Sequence, residues 1–201
     1  NEAFFLDLAH QVGIEVTQAT VVRDADDRPG LLVRRFDRLA QPDGSTIAVA
    51  CEDACQVLGR WPADKYNLTA EQVVTALADH CPSRVVALRT LFRQLCFGWL
   101  TGNGDIHAKN LSILSTRDGE WRVSPAYDLP STLPYGDTSL ALSIGGRKTG
   151  LSRKHLLAFA AEIGSMKVNN QVEAIEALGT AKANEAIDVT DRKSTRLNSS
   201  H

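Results

Sequence analysis

Asp105, Asn110 and Asp128 are the residues from which chemistry can be read. Asn110 follows Asp105 by five positions, and Asp128 stands eighteen positions further on, in SPAYDLPS. Transfer of a phosphoryl group from ATP asks for few protein groups. One carboxylate orients the acceptor hydroxyl and takes its proton, while an amide oxygen and a second carboxylate hold the magnesium that bridges the phosphates. The stretch GNGDIHAKNLSIL, residues 102–114, crowds Asn103, Asp105, His107, Lys109 and Asn110 between two apolar segments. Polar side chains in such a place are either hydrogen-bonded or used. His107 and Lys109 lie where a donating or positive group would serve a transferring phosphate.

The elements around this loop follow from periodicity. Val86, Leu88, Leu91, Leu95, Phe97 and Trp99 predict a helix over 83–100, apolar nearly all round and therefore central to its lobe. Gly102-Asn103-Gly104 ends it. Strands over 111–114 and 121–124, joined at Asp118-Gly119, separate the loop from Asp128. Upstream, the pattern predicts a helix over 2–12, a hairpin with strands over 16–23 and 31–36, and a strand over 46–50. Helices follow over 52–58 and over 69–80, where Thr69 and Gln72 fit a capping box, and downstream over 153–163 and 168–186. Gly145-Gly146 reads as a turn. The order is a small β-containing piece, residues 1–50, then a helical lobe over 51–190 with a hairpin inserted at its centre: an α+β, bilobal arrangement.

Composition removes several function classes. The chain has 201 residues, a formal net charge of -2, 43% hydrophobic and 23% charged residues. No basic run interleaves with aromatics, so wholesale binding to a nucleic-acid backbone has no support. No apolar stretch reaches the length of a membrane span. Cys51, Cys55, Cys81 and Cys96 make neither a C-x-x-C pair nor a metal-ligand pattern. They read as buried thiols in a reducing, cytoplasmic setting. The three tryptophans, Trp61, Trp99 and Trp121, are expected to pack on the lobe, and Glu52, Asp53, Gln56, Lys65 and Tyr66 to build it through hydrogen bonds. Arg147, Lys148, Arg153 and Lys154 read as a solvated basic face. Residues 191–201 resemble translated non-native read-through and are set aside from the fold.

Protein kinases carry Asp-x-x-x-x-Asn on a catalytic loop and a further Asp after a hairpin. GNGDIHAKN followed by SPAYDLPS resembles, more narrowly, the catalytic and metal-binding motifs of the HipA family of bacterial serine/threonine kinases, the toxins of toxin–antitoxin pairs. LLVRRFDR, residues 31–38, resembles that family's hinge between lobes, and CEDACQVLGRWPADKY, residues 51–66, its Glu-Asp-x-x-Gln…Gly…Lys-Tyr stretch. NEAFFLDLAHQVGIEV, at the N-terminal end, fits a helix of its smaller lobe.

The resemblance implies Asp105 as catalytic base and Asn110 and Asp128 as magnesium ligands. It implies a nucleotide site lined by His107, Lys109 and Tyr127, hinge backbone offered to the adenine by Arg35 and Phe36, and Asp37 near the ribose. It implies ATP and magnesium as cofactors, a protein serine or threonine as substrate, and a HipB-like helix-turn-helix antitoxin as partner, with DNA reached only through the antitoxin. Arg34 departs from the pattern, since the family usually has Glu there. The family's phosphate loop and ATP-binding Lys lie upstream of the first helix, so the chain is expected to be truncated and inactive or nearly so alone. Two alternatives stand beside this reading: a degenerate kinase lobe that only binds the antitoxin, and a kinase for a non-protein substrate.

Overall fold

The element that carries the site is the helix α4, Arg84–Thr101, and the rest of the fold is arranged on it. The computed structural model describes residues 1–164, so the helix expected over 168–186 and the tail over 191–201 lie outside the described residues. Leu88, Leu91, Phe92, Leu95 and Phe97 of α4 are fully or almost fully buried. Its first turn is not: Val85 and Val86 are 50% and 60% exposed. Val86, expected in the core, therefore faces solvent. Apolar character all round a helix does not say which end protrudes from the lobe.

Helix α1 spans Glu2–Gln11, and two hairpins follow. β1 (Ala19–Arg23) pairs antiparallel with β2 (Pro29–Val33), and β3 (Arg38–Ala40) with β4 (Thr46–Ala48). The first hairpin is shorter than the sequence predicts. Val16 instead bridges Ala126, and Phe36 leaves the strand to meet Tyr127, ring centroids 5.5 Å apart. Residues 51–53, assigned in part to a helix from the sequence, form strand β5 (Cys51–Asp53). β5 lies on β6 (Ser112–Ser115), which pairs with β7 (Trp121–Val123), so the inserted hairpin becomes a three-stranded antiparallel sheet. The helix starts only after Asp53. Its carboxylate caps α2 (Ala54–Val57) by accepting the Gln56 N–H at 3.0 Å, and Gln56 returns a bond to the Asp53 N–H.

Helix α3 (Ala70–Asp79) has the capping box read from Thr69 and Gln72, and turns Val73, Val74 and Leu77 onto α4 and the core. Helix α5 (Arg153–Glu162) adds Leu156 and Phe159 to the same core. A smaller cluster joins Phe5, Leu8 and Ala9 of α1 to Phe97 of α4 and to Ala126 and Leu129 beside Asp128. Trp99 and Trp121 pack on the main core, whereas Trp61, expected to pack, is 79% exposed ahead of the 3-10 turn Pro62–Tyr66. Gly145 and Gly146 make the expected turn, both at positive φ. None of the four cysteines is in a disulfide; Cys55, Cys81 and Cys96 are buried and Cys51 is half-buried. Among the described residues no helix is long and apolar enough to cross a membrane.

α4 stops at Gly102, whose φ of +64° lies in the left-handed region. A Cβ there would sit 2.1 Å from Cγ of Leu133, in the 3-10 turn Leu133–Tyr135. Gly102→Ala is expected to cost about 2–4 kcal/mol of stability, from backbone strain plus overpacking. Urea unfolding checks this, and an unchanged midpoint would show that the turn yields freely.

Candidate active site

Beyond Gly102 the chain makes a loop held by hydrogen bonds among its own polar groups and to residues packed around it. Buried Asn103 accepts the Asp105 N–H on its Oδ1 at 3.0 Å, and its Nδ2 reaches the Asp128 carbonyl in a long 3.5 Å contact. Gly104 leaves no room for a side chain, since a Cβ would meet Thr132 Oγ1 at 2.6 Å and the Ser139 carbonyl at 2.7 Å. The short 3-10 turn Ala108–Asn110 follows, closed by Asn110 Oδ1 accepting the His107 N–H at 2.9 Å. The other end of the same amide, Nδ2, donates to Asp128 Oδ2 at 2.6 Å. Two residues eighteen positions apart are thus in direct contact.

Asp128 has φ +55°, one of two non-glycine residues at positive φ among the described residues. Such a backbone persists only where the surroundings dictate it. Here they do. Ala126 exchanges backbone hydrogen bonds with Glu15 and Thr17, and Ser131 is clasped by the Asn1 side chain through bonds of 2.8 and 2.9 Å. Glu2, next to Asn1, is half-buried, and its carboxyl is pushed up, first by burial and then by the charge of Asp128. Burial and a neighbouring carboxylate thus both disfavour charge on Glu2.

His107 is buried, and its Nε2 accepts from the Lys65 ammonium at 2.8 Å. Its pKa is lowered, chiefly by burial and next by Lys65, while the charges of Asp105 and Asp128 pull the other way. Burial and the adjacent ammonium thus both favour the uncharged ring, which lies within the field of both carboxylates. Asp105 itself is half-buried, and its Oδ1 accepts the Tyr66 hydroxyl at 2.8 Å.

The remaining residues singled out from the sequence divide. Tyr127 is half-buried beside the loop, where its hydroxyl donates to the Lys109 carbonyl at 2.7 Å and accepts from Ser112 at 2.6 Å, and desolvation of the hydroxyl pushes its pKa up. Phe36 lies against it, joining the hinge segment to the site. The side chain of Lys109 lies on Asp53, with Nζ 2.5 Å from Oδ2, and that carboxylate raises its pKa. Arg35 turns to Asp37, whose carboxylate is held low first by Arg35 and also by Arg38. Among the described residues the Arg35 and Asp37 side chains bond each other and not the loop, and their segment is fixed by Thr17 Oγ1 donating to the Arg34 carbonyl at 2.8 Å.

Residues 1–191 match the HipA-like C-terminal domain family. The chain belongs to that family. It is 36% identical over 155 residues to Y4mE of Sinorhizobium fredii, a provisionally named kinase, covering 74% of this chain and 36% of that protein. It is 30% identical over 159 residues to the serine/threonine-protein kinase toxin HipA of Shewanella oneidensis, covering 72% of this chain and 36% of the toxin. The solved complex of Shewanella oneidensis HipA with HipB and its operator DNA contains a chain that superposes with a TM-score of 0.79 at 25% identity, over 94% of this chain and 48% of that one. The Helicobacter pylori proinflammatory kinase CtkA superposes with a TM-score of 0.60 at 14% identity, over 98% of this chain and 86% of that one, a likeness of fold alone. The fold is α+β and kinase-like. This HipA-family chain spans only 36% of the length of each of the two curated relatives named here.

Several residues around this HipA-family loop were singled out in the sequence by family resemblance, but not as partners of the loop. Asp53, Lys65 and Tyr66 were expected to build the lobe, and each instead touches a residue of the loop, across 56, 42 and 39 positions respectively. Glu2 had no neighbour in sequence to mark it. Spacing reveals contacts along one element, not those made between elements.

The buried neutral state of His107 sets a pH dependence. A histidine whose folded pKa is depressed binds its proton more tightly when unfolded, so stability is full above the unfolded value of about 6.5 and is lost as pH falls below it. Thermal melts of the wild-type HipA-family chain are expected to fall from about pH 6.5 downward, and His107→Gln to flatten that slope. A slope unchanged in the variant would assign the acid lability to other groups.

Proposed function

We propose that this chain carries the catalytic lobe of an ATP- and magnesium-dependent kinase acting on a protein serine or threonine, as the toxin of a toxin–antitoxin pair. The observation that carries the reading is the 2.6 Å contact of Asn110 with Asp128 beside a loop that also presents Asp105. An amide and a carboxylate fit magnesium, a hard cation that takes few protein ligands and keeps water and phosphate oxygens for the rest. Asn110 Oδ1 accepts only the His107 N–H among the described residues, which leaves a second lone pair. Magnesium, when bound, neutralises charge on the phosphates.

The chain's own residues do the rest. Asp105 accepts the proton of the acceptor hydroxyl on its carboxylate. Asn103 holds the backbone of Asp105 and reaches that of Asp128, so base and metal ligand share one frame. His107, uncharged, sets a polar ring in the field of both carboxylates without adding positive charge. Phe36 and Tyr127 offer an apolar wall at the hinge for an adenine ring. A HipB-like antitoxin is the partner this reading supplies, by likeness to the complex named above, with DNA contacted through it.

The test is a titration of the purified chain with a fluorescent ATP analogue, with and without magnesium, followed by transfer of labelled phosphate from ATP to proteins of a lysate. Transfer is assayed in the chain alone and in the chain joined to the N-terminal portion of a relative. Magnesium-dependent binding and labelled serine or threonine are expected. Label appearing only in small molecules would replace the protein substrate, and no transfer by either form would remove the kinase reading.

A further inference from the structure

We infer that Tyr66 is the positioning residue of the reaction: its phenol fixes which oxygen of the Asp105 carboxylate faces the acceptor hydroxyl. The inference rests on Asp105 being the base. The Tyr66 hydroxyl donates to Asp105 Oδ1 at 2.8 Å, and this is the one hydrogen bond to that carboxylate found among the described residues. The backbone of Asp105 is tied by Asn103, but its side chain has only this anchor. With Oδ1 taken, Oδ2 is left free to receive a proton.

Tyr66 is itself held from several sides, which is what a positioning role needs. It ends the 3-10 turn Pro62–Tyr66, and its carbonyl accepts from Lys148 Nζ at 3.2 Å. Its ring meets the imidazole of His107 edge-on, centroids 5.2 Å apart. The Lys65 ammonium sits 4.8 Å from the ring centroid while also donating to His107 Nε2. The ring is thus fixed against the loop, yet the residue is 41% exposed. A side chain that stays open to solvent while its hydroxyl is spent on a half-buried carboxylate is poorly explained by core packing. It is well placed to meet an incoming substrate and to keep the base aimed.

The basic pair Lys65 and Lys148 gains a role from the same geometry. Lys148, read from the sequence as part of a solvated face, reaches back to the Tyr66 carbonyl, and Lys65 bridges the ring and His107. Both hold the residue that holds the base.

Two measurements test this. In the chain as it stands, the ¹³C carboxyl resonance of Asp105, identified by its loss in Asp105→Asn, is expected to shift in Tyr66→Phe and to stay in place in Tyr135→Phe. Phe keeps the ring and its contacts, so an unshifted resonance would overturn the contact. In whichever form of the protein transfers phosphate, Tyr66→Phe is expected to lower kcat about 10- to 100-fold, the worth of a hydrogen bond to a charged group, with KM for ATP unchanged. In an Asp105→Asn background, the same substitution should have no further effect. A Tyr66→Phe enzyme with wild-type kcat, beside an inactive Asp105→Asn, would overturn the inference and leave the kinase reading standing. An Asp105→Asn enzyme at full rate would remove the base, and the inference with it.

Discussion

Asp105→Asn is expected to lower phosphoryl transfer about 10²- to 10⁴-fold, the range supplied by a positioned general base, with little change in the melting temperature. The substitution removes the charge and the basic oxygen but keeps the side-chain shape. Asn Oδ1 still accepts the Tyr66 hydroxyl, and the backbone bond to Asn103 is untouched. A loss of activity therefore cannot be put down to unfolding, provided the melt is run beside the assay. Transfer of labelled phosphate by the variant at the wild-type rate would take Asp105 out of its proposed role.

Asp128→Asn is expected to weaken magnesium-dependent nucleotide binding about a hundred-fold or more, as loss of a charged ligand costs at least what loss of its supporting groups does. Binding measured without magnesium should change little. The choice of Asn follows from the backbone. At φ +55° Asn is tolerated, whereas Ala adds about 1–2 kcal/mol of strain. Asp128→Ala should therefore lose the same magnesium dependence and melt lower as well. Equal affinities in wild type and Asp128→Asn, with magnesium present, would place the cation elsewhere.

The parts of this structure that could be read from the sequence are those governed by near neighbours. Thr69 and Gln72 are three positions apart, and the capping box they announce is formed. The apolar run of α4 and the strands that follow the loop were equally plain, because each repeats its own period. β5 was not. Three residues, Cys51, Glu52 and Asp53, are too few to show alternation, and their strand exists only because β6 offers an edge. A related limit hid the partner of Tyr66, which lies 39 positions away. Asn110 and Asp128, singled out together by the stretches that carry them, do meet in the fold. The aim of Lys109 was not legible, since the mostly buried Asp53 carboxylate needs a partner and lies 56 positions away. Polar side chains crowded in a loop announce partners, but only packing says which of them face one another.

Helix α1 does more than cover the small core. It touches Phe97 of α4 on one side and Ala126 and Leu129, flanking Asp128, on the other, while Asn1 clasps Ser131. The helix and the Asp128 loop therefore cannot be displaced independently. If Asp128 holds the proposed magnesium, a ligand that favours one position of α1 changes the affinity for that ion, and the ion changes the ligand's affinity by the same factor. A helix docked in this way acts as a thermodynamic handle on the segment that carries Asp128.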